Sequence, residues 1–154
     1  MSTKHPVVSV TGSSGAGTTF VKKAFEKIFA EKNLNVCVVE GDSFHKFERA
    51  DMKVEVEKSR AAGKVLTHFS ENANHFDKLE ALFKQYGQDG TGKKRYYIHS
   101  DEEAVEHNAR LGTNLNPGQF TPWEDVESGT DLMFYEGLHG GVKTDNADVA
   151  GQVD

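Results

Sequence analysis

The sequence predicts an α/β fold: a mainly parallel sheet with helices on both faces, in three αβα layers. Three observations carry that expectation. Residues 5–19 read HPVVSVTGSSGAGTT, a β-branched run that passes at once into a glycine-rich loop. Two further apolar runs, 34–40 (LNVCVVE) and 132–135 (LMFY), lead directly into acid-bearing turns. Helical patterns lie between the runs. Short uncharged runs suit strands buried on both faces of a parallel sheet, and parallel strands need crossovers of about a dozen residues or more to connect them.

Val7, Val8 and Val10 make the first strand. Gly12, Gly15 and Gly17 then let the backbone turn sharply, aim successive N–H groups inward and admit phosphate oxygens to hydrogen-bond distance. A helix expected over 21–31 adds unpaired amides and a partial positive charge beneath the same oxygens. The spacing Gly12-x-x-x-x-Gly17 followed by Thr18-Thr19 is that of a P-loop, with one departure: Thr18 stands where the phosphate-binding lysine should be. Thr19 fills the position whose hydroxyl meets Mg²⁺. Gly12, Ser13, Ser14, Gly15, Ala16, Gly17, Thr18 and Thr19 are therefore the candidate ATP-binding residues, and the fold is expected to be of P-loop NTPase type. Without the lysine, phosphate charge must be met by Mg²⁺ and by other cations. Lys22 and Lys23 are candidates, although they lie beyond the first helical turn.

A chain of 154 residues, 36% hydrophobic and 10% aromatic, is read as one domain over 1–154 with enough apolar material for one core. A net charge of −6 argues against nucleic acid as the main partner, because binding a phosphate backbone needs a basic face. No apolar run reaches membrane length, and residues 1–5 lack the apolar stretch of a signal peptide, so no membrane role and a cytoplasmic location are expected. The single cysteine, Cys37, lies inside an apolar strand and is expected to be a reduced, buried thiol.

In the second strand's turn, Asp42 should emerge on the same sheet edge as the glycine-rich loop, since ligands of open α/β sheets bind outside the carboxyl ends of the strands. An aspartate there also serves as a helix cap. His45 and Arg49, spaced i, i+4, would share a helix face and offer a donor and a fork suited to phosphate, or stand as solvated surface residues. A charged surface helix is expected over 50–62, ending at Gly63. An amphipathic helix is expected over 70–86, with Phe76, Leu79, Leu82, Phe83 and Tyr86 on its core stripe and Gly87 as its stop. Residues 94–99 (KRYYIH) read as a short strand or hairpin arm carrying Arg95 and His99. Residues 101–131 read as an insertion that Trp123 pins to the body. After the last strand comes Glu136, the second acid at a strand end. Phosphoryl transfer needs one carboxylate to organise Mg²⁺ and another to accept the proton of the substrate hydroxyl, and Asp42 and Glu136 fit those roles.

With these residues assembled, the chain resembles bacterial-type phosphoribulokinases and, more distantly, uridine kinases. The resemblance runs through SVTGSSGAGTT, EGDSFHKFERADMK, HFSENAN, the YIH arm and LMFYEGLHGG, and covers essentially the whole chain. A threonine at position 18 belongs to that family's pattern. The resemblance implies ATP and Mg²⁺ as cofactors, Asp42 as the base on the sugar hydroxyl, Glu136 as the acid at the metal, and His45, Arg49 and His99 as ligands of the sugar phosphate. With Thr19, Asp42 and Glu136 form the expected metal set. The implied reaction converts ribulose 5-phosphate to ribulose 1,5-bisphosphate in reductive carbon fixation, by a homo-oligomer.

Members of that family run to nearly twice this length, so the chain is expected to be an N-terminal portion of the kinase fold. Residues 145–154 would then approach an absent segment, and residues 7–10 would form an exposed, uncharged edge prone to association. Two other readings stay open: a non-catalytic fragment that binds nucleotide or sugar phosphate, and a kinase acting on another alcohol such as a nucleoside. The cationic trio disfavours the nucleoside, because it fits a phosphorylated substrate better.

Overall fold

Valine-rich segments set the strands, and glycines set the turns between them. In the computed structural model, which describes residues 4–13 and 15–154, β1 (Val7–Thr11) leads into the glycine loop. Ser14, one of the expected ATP-binding residues, lies outside the described residues. Gly15 and Gly17 both sit at φ 84°, a left-handed conformation open to glycine at little cost. α1 (Thr18–Glu31) starts directly after Gly17, earlier than the expected residue 21, with the N–H groups of Phe20 and Val21 donating to the Gly17 carbonyl. β2 (Val36–Glu40), α2 (Arg49–Ala61), α3 (Phe76–Asp89), β3 (Lys93–Lys94), α4 (Asp101–Leu111), β4 (Glu124–Asp125) and β5 (Leu132–Gly137) follow.

The main sheet has the order β1-β5-β2, and both pairings are parallel. Register partners on neighbouring parallel strands project to the same face. One face therefore carries Val8, Val10, Val36 and Phe134, which pack on Phe25 and Phe29 of α1; the Phe25 and Phe134 rings lie 5.1 Å apart. The other carries Val7, Cys37, Val39, Met133 and Tyr135, packed on Leu79, Phe83 and Tyr86 of α3. This is the three-layer αβα arrangement expected. Cys37 is a free, buried thiol, and its burial pushes its pKa up to about 12.

Several element boundaries differ from expectation, for non-local reasons. The amphipathic helix begins at Phe76, because residues 70–75 are drawn onto the turn after β2: His75 N–H donates to Phe44 O, and Asn74 forms a β-bridge with His45. It runs through Gly87 and stops at Gly90, which is left-handed at φ 75°. The 94–99 arm is a strand only at Lys93–Lys94, antiparallel to β4, and is held to β2 by buried Lys94, whose ammonium donates to Val38 O and to both Glu127 oxygens. The stretch read as an insertion contains α4, capped by Ser100, whose hydroxyl accepts from Glu103 N–H at 3.3 Å. Trp123 does pin it to the body, edge-on to Phe44 at 5.4 Å.

Residues 145–154 pack against the body. Ala147 and Val149 are buried, and Asp148 N–H donates to Glu80 of α3. β1 is an edge strand of the described sheet, but its Val7 end is closed: Asp154 N–H donates to Val7 O at 3.0 Å, and the Asp154 carboxylate accepts from Val7 N–H at 2.9 Å. Val7 is buried, and Val8 and Val10 are half-buried. Among the described residues, no helix is long and apolar enough to cross a membrane.

Candidate active site

Because the three strands are parallel, their carboxyl ends share one edge, and the loop, Asp42 and Glu136 all stand there. The contacts at Gly137 show how closely. Its carbonyl accepts from Gly12 N–H at 3.2 Å, and a Cβ at Gly137 would lie 2.7 Å from Gly41 Cα. The glycines at 41 and 137 thus let the turns after β2 and β5 touch at the start of the loop.

Asp42 lies in a 3-10 turn, Gly41–Phe44, half-buried. Its Oδ1 is 3.4 Å from His45 Nε2, and its Oδ2 is 4.0 Å from His99 Nε2. The neighbouring His45 ring, outweighing burial, holds the Asp42 carboxyl below its usual range. His45 is oriented from behind. The Asn74 amide nitrogen donates to the carbonyls of His68 and Ser70, which turns its oxygen toward His45, and His45 Nδ1–H donates to it at 2.7 Å.

His45 and Arg49 do not share a helix face, as their spacing suggested. His45 is extended (φ −62°, ψ 146°) and α2 starts only at Arg49. They nevertheless converge: Asp42, His45, Arg49 and His99 line one cavity of about 1040 Å³. Arg49 is exposed, and its Nε donates to Tyr97 Oη at 3.2 Å. Met52, Val56 and Phe69 supply apolar wall to the same cavity.

Glu136 projects to the opposite face, toward α1, where it is the register partner of Glu40 on β2 and of Val10 on β1. Glu40 is a residue of the candidate site that sequence reasoning passed over. Its Oε1 accepts from Lys22 Nζ at 3.0 Å, and its Oε2 lies 3.8 Å from His99 Nε2. His99 and then Lys22, against the effect of burial, bring its carboxyl down to about 2. Reciprocally, Glu40 holds the His99 pKa above its ordinary value. Lys22 is thus engaged by Glu40, while Lys23 is exposed. The signal that could have found Glu40 is its place: it is the last strand residue of β2, as Glu136 is one before the last of β5.

The expected metal set offers a hydroxyl (Thr19) and two carboxylates, the hard oxygen donors that Mg²⁺ takes. Among the described residues no three His, Cys, Asp or Glu side chains are grouped to hold a metal by themselves. Mg²⁺ is commonly bound through one or two carboxylates plus substrate phosphates and water rather than by an all-protein cage.

A sequence model described as the phosphoribulokinase / uridine kinase family matches residues 7–154. The chain is 51% identical over 154 residues to a probable phosphoribulokinase of Escherichia coli (strain K12), covering 100% of this chain and 51% of that protein. It is 47% identical over 155 residues to phosphoribulokinase 1 of Cereibacter sphaeroides, again covering 100% of this chain and 51% of the relative. The solved phosphoribulokinase from Rhodobacter spheroides superposes with a TM-score of 0.83 at 41% identity, over 98% of this chain and 49% of that one. A possible uridine kinase from Bacillus stearothermophilus, at TM-score 0.57 and 16% identity over 93% of this chain and 66% of that one, shares the fold. The chain spans about half the length of the curated relatives it matches.

Proposed function

The chain belongs to the phosphoribulokinase / uridine kinase family, and from that premise we propose that it carries the acceptor site and phosphate loop of a kinase that phosphorylates ribulose 5-phosphate with ATP to give ribulose 1,5-bisphosphate. The observation that carries this reading is the convergence of Asp42, His45, Arg49 and His99 on one cavity at the loop's edge of the sheet. A carboxylate held ionised beside two imidazoles and a guanidinium suits an acceptor that is both an alcohol and a phosphate ester.

In this reading Arg49, His45 and His99 bind the sugar phosphate, and Asp42 takes the proton from the attacking hydroxyl. The amides of residues 12–19 and the N-terminus of α1 hold the ATP phosphates. Mg²⁺, when bound with ATP near Thr19, Asp42 and Glu136, supplies charge neutralisation on the transferred group. Catalysis then rests on placement and on electrostatics, as is usual for phosphoryl transfer. The working full-length protein is proposed to be a cytoplasmic homo-oligomer acting in reductive carbon fixation, with residues 1–154 as the N-terminal portion of its kinase domain.

Coupled ADP release by the purified protein tests the reading, with ribulose 5-phosphate and uridine as rival acceptors. ADP release with the sugar phosphate, and a second phosphate ester in the ³¹P spectrum, is expected. Release with uridine alone would overturn it.

A further inference from the structure

The turn that carries Asp42 is gripped by a side chain the reaction does not call on. Arg95, in the arm after β3, donates from Nε to Ser43 O at 2.7 Å and from Nη2 to His45 O at 2.6 Å. Its guanidinium carbon stands 3.6 Å from the centre of the Phe120 ring and 4.5 Å from that of Trp123. Burial brings its pKa down only to about 10, so the group stays charged at neutral pH. Among the described residues no carboxylate is hydrogen-bonded to it; Glu48 acts on it through its charge. A half-buried guanidinium placed against aromatic faces and spent on two neutral carbonyls is an unusual way to hold a turn, because a cation drawn out of water is commonly paired with an acid.

The remaining bonds explain what the grip adds. Phe44 O accepts from His75 N–H, Lys46 N–H donates to Ala73 O, and Ser43 Oγ donates to Glu40 O at 2.6 Å. Those bonds tie the turn to β2 and to the 70–75 segment. Arg95 ties it by two short hydrogen bonds to the arm that carries His99, four residues further on, where the direct Asp42–His99 approach is only 4.0 Å. The two donors of one rigid fork reach carbonyls on either side of Phe44, so the fork sets the distance between the Asp42 turn and the His99 arm.

We propose that Arg95 is a positioning residue: its guanidinium fixes the Asp42–His45 turn against the His99 arm, and so sets the geometry of the acceptor site. The functional part of this inference rests on the acceptor-site reading above. A lysine at 95 keeps the charge but offers a point donor in place of the fork, so it cannot span both carbonyls in the same way.

The test uses Arg95→Lys, Arg95→Met and Arg95→Gly. Calorimetry reads the affinities for ribulose 5-phosphate and for ATP, and amide hydrogen exchange reads Phe44, His45 and Lys46 against Leu82 and Phe83 of α3. A misplaced acceptor site is expected to weaken sugar-phosphate binding by about 10- to 100-fold. ATP binding should change little, and exchange should quicken at 44–46 while α3 stays protected. Millimolar guanidinium should restore slow exchange and sugar-phosphate affinity to Arg95→Gly, whereas methylammonium should not. Equal acceleration in the turn and in α3, or wild-type sugar-phosphate affinity in Arg95→Lys and Arg95→Met, would make Arg95 a general stabiliser and overturn the proposal. If the unaltered protein fails to bind ribulose 5-phosphate, the functional reading falls, and the exchange and guanidinium-rescue data still decide whether Arg95 positions the turn.

Discussion

Glu40 Oε2 lies 3.8 Å from His99 Nε2, while Glu40 Oε1 lies 3.0 Å from Lys22 Nζ. One carboxylate at the end of β2 therefore joins the arm bearing His99 to the helix that leaves the phosphate loop.

That junction has a pH signature. The Glu40 carboxyl is depressed to about 2, so its contribution to stability is present above its ordinary 4.5 and is lost as pH falls toward 2. The His99 imidazole is raised, so its contribution is present below its ordinary 6.5 and is lost as pH climbs through the raised value. Glu40→Gln should thus lower stability most between those limits. Both side chains are more than a third exposed or close to it, so screening keeps the effect to about 1 kcal/mol or less. Urea midpoints measured across pH check the sign, and an NMR titration of His99 in the variant should show its pKa falling.

Asp42→Asn keeps the shape of the turn and removes the proton acceptor. Turnover should drop by about 10² to 10⁴ with ATP affinity nearly unchanged, the usual range for loss of a general base. Steady-state kinetics beside nucleotide calorimetry measure both, and near-native turnover would exclude Asp42 as the base.

Gly137→Ala should be costly despite its size. The new Cβ would lie 2.7 Å from Gly41 Cα and press on the Tyr135 hydroxyl, so the turns after β2 and β5 must part. Overpacking of this kind costs about 1–3 kcal/mol. Urea unfolding gives the loss, and the Asp42 amide shift should move with it.

Asn74→Leu should act on His45 at a distance from the cavity. Asn74 is only 2% exposed, and the change strips a partner from His45 Nδ1–H and from two carbonyls. Orphaning buried polar groups costs about 1–3 kcal/mol each when water does not replace the partner. Thermal melts read the total, and ¹⁵N shifts of the His45 ring should lose the pattern of a fixed Nδ1–H.

These variants mark the boundary of what the sequence revealed. The strands at Val7–Thr11, Val36–Glu40 and Leu132–Gly137 were legible because uncharged β-branched and aromatic runs have few other uses, and the stripe from Phe76 to Tyr86 was legible because its period is helical. Asp42 and Glu136 followed from strand ends on a shared edge. The start of α3 was not legible, since it depends on His45 and Asn74 meeting across 29 positions. Arg95 reaches Ser43 across 52, and Lys22 reaches Glu40 across 18, so no local window holds either pair. α4 was the avoidable omission: Ser100 and Glu103 stand at capping spacing, and Gly112 closes the helix.

The Lys22–Glu40–His99 chain has a thermodynamic consequence. An anion that draws Lys22 toward the loop takes it from Glu40, leaving His99 as the cation nearest that carboxylate and tightening its hold on its proton. Linkage makes the effect mutual: the factor by which a bound anion alters the proton affinity of His99 equals the factor by which that proton alters the anion's affinity. Such an anion and the His99 proton would then be terms of one equilibrium, joined through the Glu40 carboxylate.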